Sequence, residues 1–330
     1  MTVNAAGPVI RTDSVDRIGL GLAALGRPAY ITTTRTDDLG AERTVEDLDR
    51  QTTAVLDAAY ALGIRYLDCA RSYGLSERFL AHWLDARPEV TDVTIASKWG
   101  YRYVGDWRRD VATHEVKDHS AEAFATQLTE TRRELHDRVA IYQIHSVTPD
   151  SPALHDRPLL DRLAALRDQG VRVGLSTSGP HQAEVIRAAV EVQVGGRPLF
   201  SVVQSTWNLL ETSAGAALGE AAAAGLSVVV KEAVANGRLA PGSADPSPAV
   251  RQAQRAAGDR GVTLDQIALA AVLHQPWVAQ VLSGAVTPAQ AESNAASARI
   301  ELDPDTVAQL TAEPEEPSLY WSERSRRPWV

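Results

Sequence analysis

The chain has 330 residues, a net charge of −9, 44% hydrophobic and 23% charged residues. That composition is ordinary for a soluble globular fold, no stretch approaches the ~20 apolar residues of a membrane span, and no Lys/Arg-rich block offers a nucleic-acid footprint. Cys69 is the sole cysteine, which excludes intrachain disulfides and thiolate zinc clusters and reads as a small buried core residue.

The N-terminal residues 1–11 lack the basic region and apolar stretch of a secretory signal, so the chain is expected in the cytoplasm with a small-molecule partner. Residues 18–25 predict a first strand. Thr44 with Asp47 resembles a capping box, after which Leu48, Val55, Leu56, Ala59 and Leu62 keep one apolar helix face until Gly63. Strand 64–69 then carries Asp68, with Tyr73 a few residues on. Phe79, Leu80, Trp83 and Leu84 line the next helix, and strand 93–97 runs into Lys98. Phe124, Leu128 and Leu135 mark a third helix before strand 139–144, which runs into His145. Leu159, Leu160, Leu163 and Leu166 line a fourth, closed by Gly170. Further strands are predicted at 171–175, 200–204, 226–230 and 278–282.

Gly63, Gly170, Gly225 and Gly261 each follow a helical pattern, where a left-handed residue is wanted. Helix, glycine, strand is the recurring order. Eight strands in this rhythm, with continuous apolar runs such as 228–230, predict a (β/α)8 barrel of the α/β class, one domain over 1–330. Three stretches break the rhythm. The aromatic-rich loop 99–120 and the Gly/Pro/Ser-rich loop 236–248 are expected to be lids. The tail 313–330, with Tyr320, Trp321 and Trp329 among arginines, is expected to cap the site or contact a subunit, so a monomer and a homo-oligomer both stay open.

Asp68, Tyr73, Lys98 and His145 all fall at or just past strand ends, the face of a parallel barrel where active sites lie. A tyrosine near pKa ~10 exchanges protons poorly at neutral pH, and an ammonium beside it favours its phenolate. Lys98 would supply that charge, held ionised by Asp68, while a neutral His145 would donate a hydrogen bond to a substrate oxygen. Such a site protonates an oxygen but offers no nucleophile–base pair, so a hydride-donating cofactor is expected.

The segment 63–77, containing Asp68, Tyr73, Gly74 and Glu77, resembles the signature of the aldo-keto reductases, as do Ser97-Lys98 and Tyr142-Gln-Ile-His145. The likeness extends through Gly174-Leu-Ser176, Val203-Gln204, Trp207-Asn208 and Ser283-Gly284-Ala285 with Asn294. It implies an oxidoreductase acting on an aldehyde, ketone or sugar, with Tyr73 as general acid/base, Lys98 and Asp68 tuning it and His145 orienting substrate. It also implies NADP(H) or NAD(H), the former slightly favoured, lying across the strand ends. Ser176, Thr177 and Gln204 would meet the nicotinamide carboxamide, Asn236, Gly237 and Arg238 the pyrophosphate, and Ser283, Gly284, Ala285, Gln290 and Asn294 the adenosine end. Helix amides after Thr287 and Pro288 would suit a phosphate.

Three departures from the family pattern stand out. Thr177 replaces the usual Asn. Lys231 stands near the position of an aromatic that stacks on nicotinamide, either as a cation favouring the reduced ring, as an ion-pair partner of Glu232 or as a phosphate contact. Gly284, Ala285, Val286 and Gln290 offer no cation for a 2′-phosphate. Trp99, Tyr101, Trp107 and Trp207 are the expected substrate contacts, with His114, Glu115 and His119 nearby in a spacing that matches no metal site. Two other readings are a nucleotide-sensing regulatory subunit and a lyase forming a Schiff base at Lys98 or Lys231.

Overall fold

The computed structural model describes residues 15–31, 38 and 43–329, so the reading of residues 1–11 lies outside the described residues. Eight parallel strands close into a barrel in chain order: β1 (Ile18–Gly21), β2 (Tyr66–Asp68), β3 (Thr94–Trp99), β4 (Val139–Val147), β5 (Arg172–Thr177), β6 (Val202–Thr206), β7 (Ser227–Lys231) and β8 (Gln280–Ser283). β8 pairs back onto β1, Ile18 opposite Val281. All eight predicted strands are present, most with ends within three residues of those expected; the first, expected over 18–25, stops at Gly21.

Between them run α1 (Val45–Ala61), α2 (Ser76–Asp85), α3 (Ala121–Leu135), α4 (Arg157–Asp168), α5 (Gln182–Val190) and α6 (Gly215–Ala223). α7 (Pro248–Arg260) and α8 (Leu264–Leu273) both lie between β7 and β8, followed by α9 (Pro288–Ala296), α10 (Pro304–Leu310) and α11 (Pro317–Ser325). The Thr44 hydroxyl accepts from Asp47 N at 3.1 Å to start α1, whose Leu48, Val55, Leu56 and Ala59 are buried. Gly63, Gly170 and Gly225 adopt φ of 95°, 95° and 93° at helix-to-strand joints. Gly261, also left-handed, joins α7 to α8 rather than to a strand.

Side chains alternate across each strand, and in a closed barrel one of the two faces is the interior. Tyr66, Ala96, Ile141, Val202 and Val229 form an apolar plug there. Two residues further along the same strands come Asp68, Lys98, Gln143, Gln204 and Lys231, so the polar groups sit on top of the plug at the carboxyl ends. The outer faces pack with the helices in a larger apolar cluster.

The segment 99–120 is not an irregular loop: Tyr101–Tyr103 pairs antiparallel with Glu115–Lys117 as a hairpin beside the barrel mouth. In the tail, α11 is followed by an isolated backbone bridge of Trp329 to Ile31. Among the described residues no helix is long and apolar enough to cross a membrane.

Candidate active site

Tyr73 lies in the turn from β2 to α2, and close backbone contact fixes that turn. Leu75 N donates to Gly26 O at 2.7 Å. A Cβ on Gly26 would fall 2.2 Å from Tyr73 O, and one on Gly74, at φ +58°, would fall 2.3 Å from Gly26 O. Only glycine permits this approach at both positions.

Lys98, fully buried on β3, donates to the Asp68 carboxylate and to Cys69 O at 3.1 Å. The second Asp68 oxygen accepts from Gln204 Nε2 at 2.8 Å. The ion pair therefore spans three strands, with its polar atoms satisfied as a buried pair requires.

His145 reaches the cavity through an irregularity in β4. The register against β5 shifts between Ile144 and Val147, Ser146 takes φ +52°, and its N–H donates to Ser176 Oγ at 2.8 Å. The ring that results stands 3.4 Å from the Tyr73 hydroxyl through Nε2 and 3.2 Å from Ser72 Oγ through Nδ1. Lys98 Nζ lies 4.8 Å from the Tyr73 ring centroid. The four residues thus meet at one point.

Burial, followed by the charges of Lys98, Lys231 and Arg27, pushes His145 well below the ordinary histidine range, so the imidazole is neutral at physiological pH. For Tyr73 the expected direction is reversed. Burial, then the Asp68 carboxylate, pushes the phenol well above its ordinary value, and the Arg27 guanidinium opposes this. Burial and the nearby carboxylates outweigh the cations around the ring. The site holds a protonated phenol beside a neutral imidazole.

Both open on a cavity of about 330 Å³ whose wall also includes Asp68, Gln204, Lys231 and Tyr101. Asn236, Gly237, Ser283 and Gly284 continue that wall. The Gln204 Oε1 atom is buried without a partner. Lys231 donates to Thr206 Oγ1 at 2.7 Å and lies 3.6 Å from Glu232, and burial lowers its pKa to about 8. Burial opposes ionisation of Glu232, yet Arg324 and Lys231 hold it down at about 2.

Other expected contacts lie away from the wall. Thr177 has its hydroxyl 2.8 Å from Ser205 Oγ, and the neighbouring Ser176 is used by Ser146 N. Arg238 is occupied by Asp245 at 2.5 Å, by Glu315 and by Glu323, so three carboxylates hold the charge expected to meet a pyrophosphate. Ala285 is buried outside the cavity wall. Asn294 donates to Ser283 Oγ at 2.7 Å. Gln290 accepts from Val286 N at 2.9 Å and donates to Asp38 at 2.7 Å.

Of the four aromatic residues expected at the substrate, only Tyr101 lines the cavity, its ring 5.3 Å from that of His145. Trp99 follows the inward Lys98 and so points outward, against Phe124 at 5.1 Å. Trp107 donates to Arg43 O at 2.8 Å, and Trp207 packs on Trp277 at 5.6 Å. His119 serves structure: Nε2 donates to His145 O at 2.8 Å, Nδ1 meets Ser151 Oγ at 2.6 Å, and burial lowers its pKa to about 4. Among the described residues no group of three His, Cys, Asp or Glu is placed to hold a metal ion.

Arg324 and Trp329 of the tail line the cavity, and so do Arg27 and Tyr30, which were not anticipated. Arg27 could have been found by the rule that picked out Lys98, since it is a lone charge closing the apolar run that begins at Ile18.

A parallel barrel with buried ionisable groups gathered at its strand ends is the architecture of an enzyme. The model that describes the Aldo/keto reductase family matches residues 17–313, and the chain belongs to that family. Membership implies NAD(P)H-dependent oxidoreduction of a small molecule. Protein tas of Escherichia coli K12 is 26% identical across 78% of this chain and 88% of its own, and protein tas of Shigella flexneri matches equally. A solved Pseudomonas aeruginosa protein assigned to the aldo-keto reductases is 25% identical with a TM-score of 0.61, covering 86% of this chain and 89% of that one. The fold also matches an aldo-keto reductase from Bacillus halodurans, solved in its holo form, at 21% identity and TM-score 0.66, with 91% and 92% covered.

Proposed function

We propose that the protein transfers a hydride reversibly between a nicotinamide cofactor and an aldehyde, ketone or sugar, with Tyr73 moving the proton. The observation that carries this reading is the Tyr73 hydroxyl 3.4 Å from a neutral His145 at the cavity wall. A substrate oxygen placed between them receives a proton from the phenol and a hydrogen bond from the imidazole. Lys98 and Asp68 hold the floor of the site in place.

The wall suits a nicotinamide. Gln204 Oε1 is an unpartnered buried acceptor, and an amide N–H₂ is the donor it lacks. When bound, the cofactor supplies the hydride. Asn236, Gly237, Ser283 and Gly284 would continue its cradle. At the adenosine end, Gln290 is tied to the Asp38 carboxylate, which supports NAD(H) against the NADP(H) expected from the resemblance. The polar and aromatic wall, with Tyr101, Trp329 and Glu115, supports a sugar-like substrate. Trp329 and Arg324 in that wall support a tail that caps the site.

Lys231, lowered to about 8 and facing the cavity, favours a Schiff-base lyase as the second reading. Titration with NADH and NADPH by tryptophan fluorescence, then addition of a panel of aldehydes, ketones and sugars, separates them. Binding followed by loss of reduced-nicotinamide absorbance is expected. Failure of both cofactors to bind would overturn the proposal.

A further inference from the structure

We propose that Arg27 is a second cation of the proton-donor site, a positioning residue that acts through Tyr73; this rests on the reading of Tyr73 as the acid/base. The Arg27 guanidinium carbon lies 5.3 Å from the Tyr73 ring centroid, and Lys98 Nζ lies 4.8 Å from it. One phenol ring thus has two cations within cation–π range.

The guanidinium is 3% exposed and held from three remote parts of the chain. It donates to Ser72 O at 2.9 Å, beside Tyr73 itself, and to Glu115 Oε1 of the hairpin at 2.6 Å. The Trp329 ring of the tail covers it at 4.5 Å and is itself stacked on His114 at 4.4 Å with 7° between the planes. Burying a guanidinium is costly, and here it is buried against the side chain whose charge changes as the proton moves. In reduction the Tyr73 O–H bond breaks as its proton passes to the substrate carbonyl oxygen, whose C=O becomes C–O; the hydride for the new C–H bond would come from a reduced nicotinamide, oxidised in turn, and solvent later returns a proton to the phenolate. A fixed cation in a site of low dielectric stabilises that phenolate.

Arg27 also bears on His114 and Tyr103 of the hairpin segment, its charge acting to lower the pKa of both. Asp68 on β2, Glu115 on the hairpin and Tyr30 after β1 raise the phenol's pKa, while Arg27 lowers it. Lys98 on β3 and His145 on β4 face the same ring, and Lys231 and Arg324 lie across the cavity.

The test is the pH profile of alcohol oxidation, in which the phenolate must accept the proton, measured on full-length wild type, R27Q, R27K and E115Q. R27Q is expected to move the rising limb up by about one pH unit, so that kcat near neutrality falls roughly tenfold while KM changes little. R27K should restore the limb, and E115Q should move it down. A limb left in place by both R27Q and E115Q overturns the inference, as does a shift of both in one direction. Should R27Q fail to fold, E115Q decides alone: an unmoved limb contradicts the proposal. If Tyr73→Phe keeps full activity, the underlying reading fails; if that variant is dead and the limbs stay fixed, only the role of Arg27 falls.

Discussion

Gln204 donates its side-chain amide to Asp68 at 2.8 Å, and the oxygen at the other corner of that amide is buried with no partner of its own. A carboxylate only accepts, so Asp68 fixes which way the amide lies and leaves its oxygen as the unmet acceptor in a residue of the cavity wall. Replacing Gln204 by Leu should weaken cofactor binding by about tenfold, the worth of one hydrogen bond to a buried group at ~1.4 kcal/mol. Fluorescence titration of the variant with NADH checks this; unchanged affinity would show that the amide meets no cofactor.

The Lys98–Asp68 pair is buried on both sides, with 0% and 2% of the side chains exposed. Removing one charge strands the other. Lys98→Met should therefore cost about 3–5 kcal/mol in urea denaturation, and adding Asp68→Asn should recover part of it. Equal stability of the single and double variants would argue that the carboxylate is not stranded.

His119 holds the hairpin to β4 as a neutral imidazole, its pKa lowered by burial from 6.5 to about 4. Between those values the unfolded chain binds the proton and the folded one does not. Stability contributed by neutral His119 is thus complete above pH 6.5 and declines as pH falls toward 4. His119→Gln should flatten that acid slope in denaturation curves compared across the window. The same slope in both proteins would locate the acid sensitivity elsewhere.

The barrel and the four central residues could be read from the chain because their signals are local. Asp68 and Tyr73 lie within one strand and turn, and Lys98 and His145 each end an apolar run. Trp99 is turned from the cavity by strand parity, while Trp107, on no strand, is held by Arg43 O. Once Lys98 faces inward, Trp99 must face the helices, and the same alternation turns Thr177 away when Ser176 faces in. Arg238 is taken up by Asp245, 7 residues on, and by Glu315, 77 residues on, and the second of these is set by packing that the sequence does not reveal. Arg27 and Glu115 are 88 residues apart and Trp329 lies further along still, so their cluster exists only in the folded chain.

Lys231 is a buried amine near neutrality, yet it is hydrogen-bonded to Thr206 and lies close to Glu232. It should not form an imine during turnover. Borohydride added with a carbonyl substrate should leave the protein mass unchanged by mass spectrometry; a substrate-sized adduct at Lys231 would favour the lyase.

The central claim is that the Tyr73 hydroxyl carries the proton. Replacing Tyr73 by Phe removes a single oxygen and leaves the ring, the ion pair and the Gln204 acceptor in place. Measured side by side with wild type, the variant should bind nicotinamide cofactor with nearly unchanged affinity and lose at least a hundredfold in carbonyl reduction, in keeping with the usual worth of general acid catalysis. Wild-type turnover by Tyr73→Phe would contradict the account.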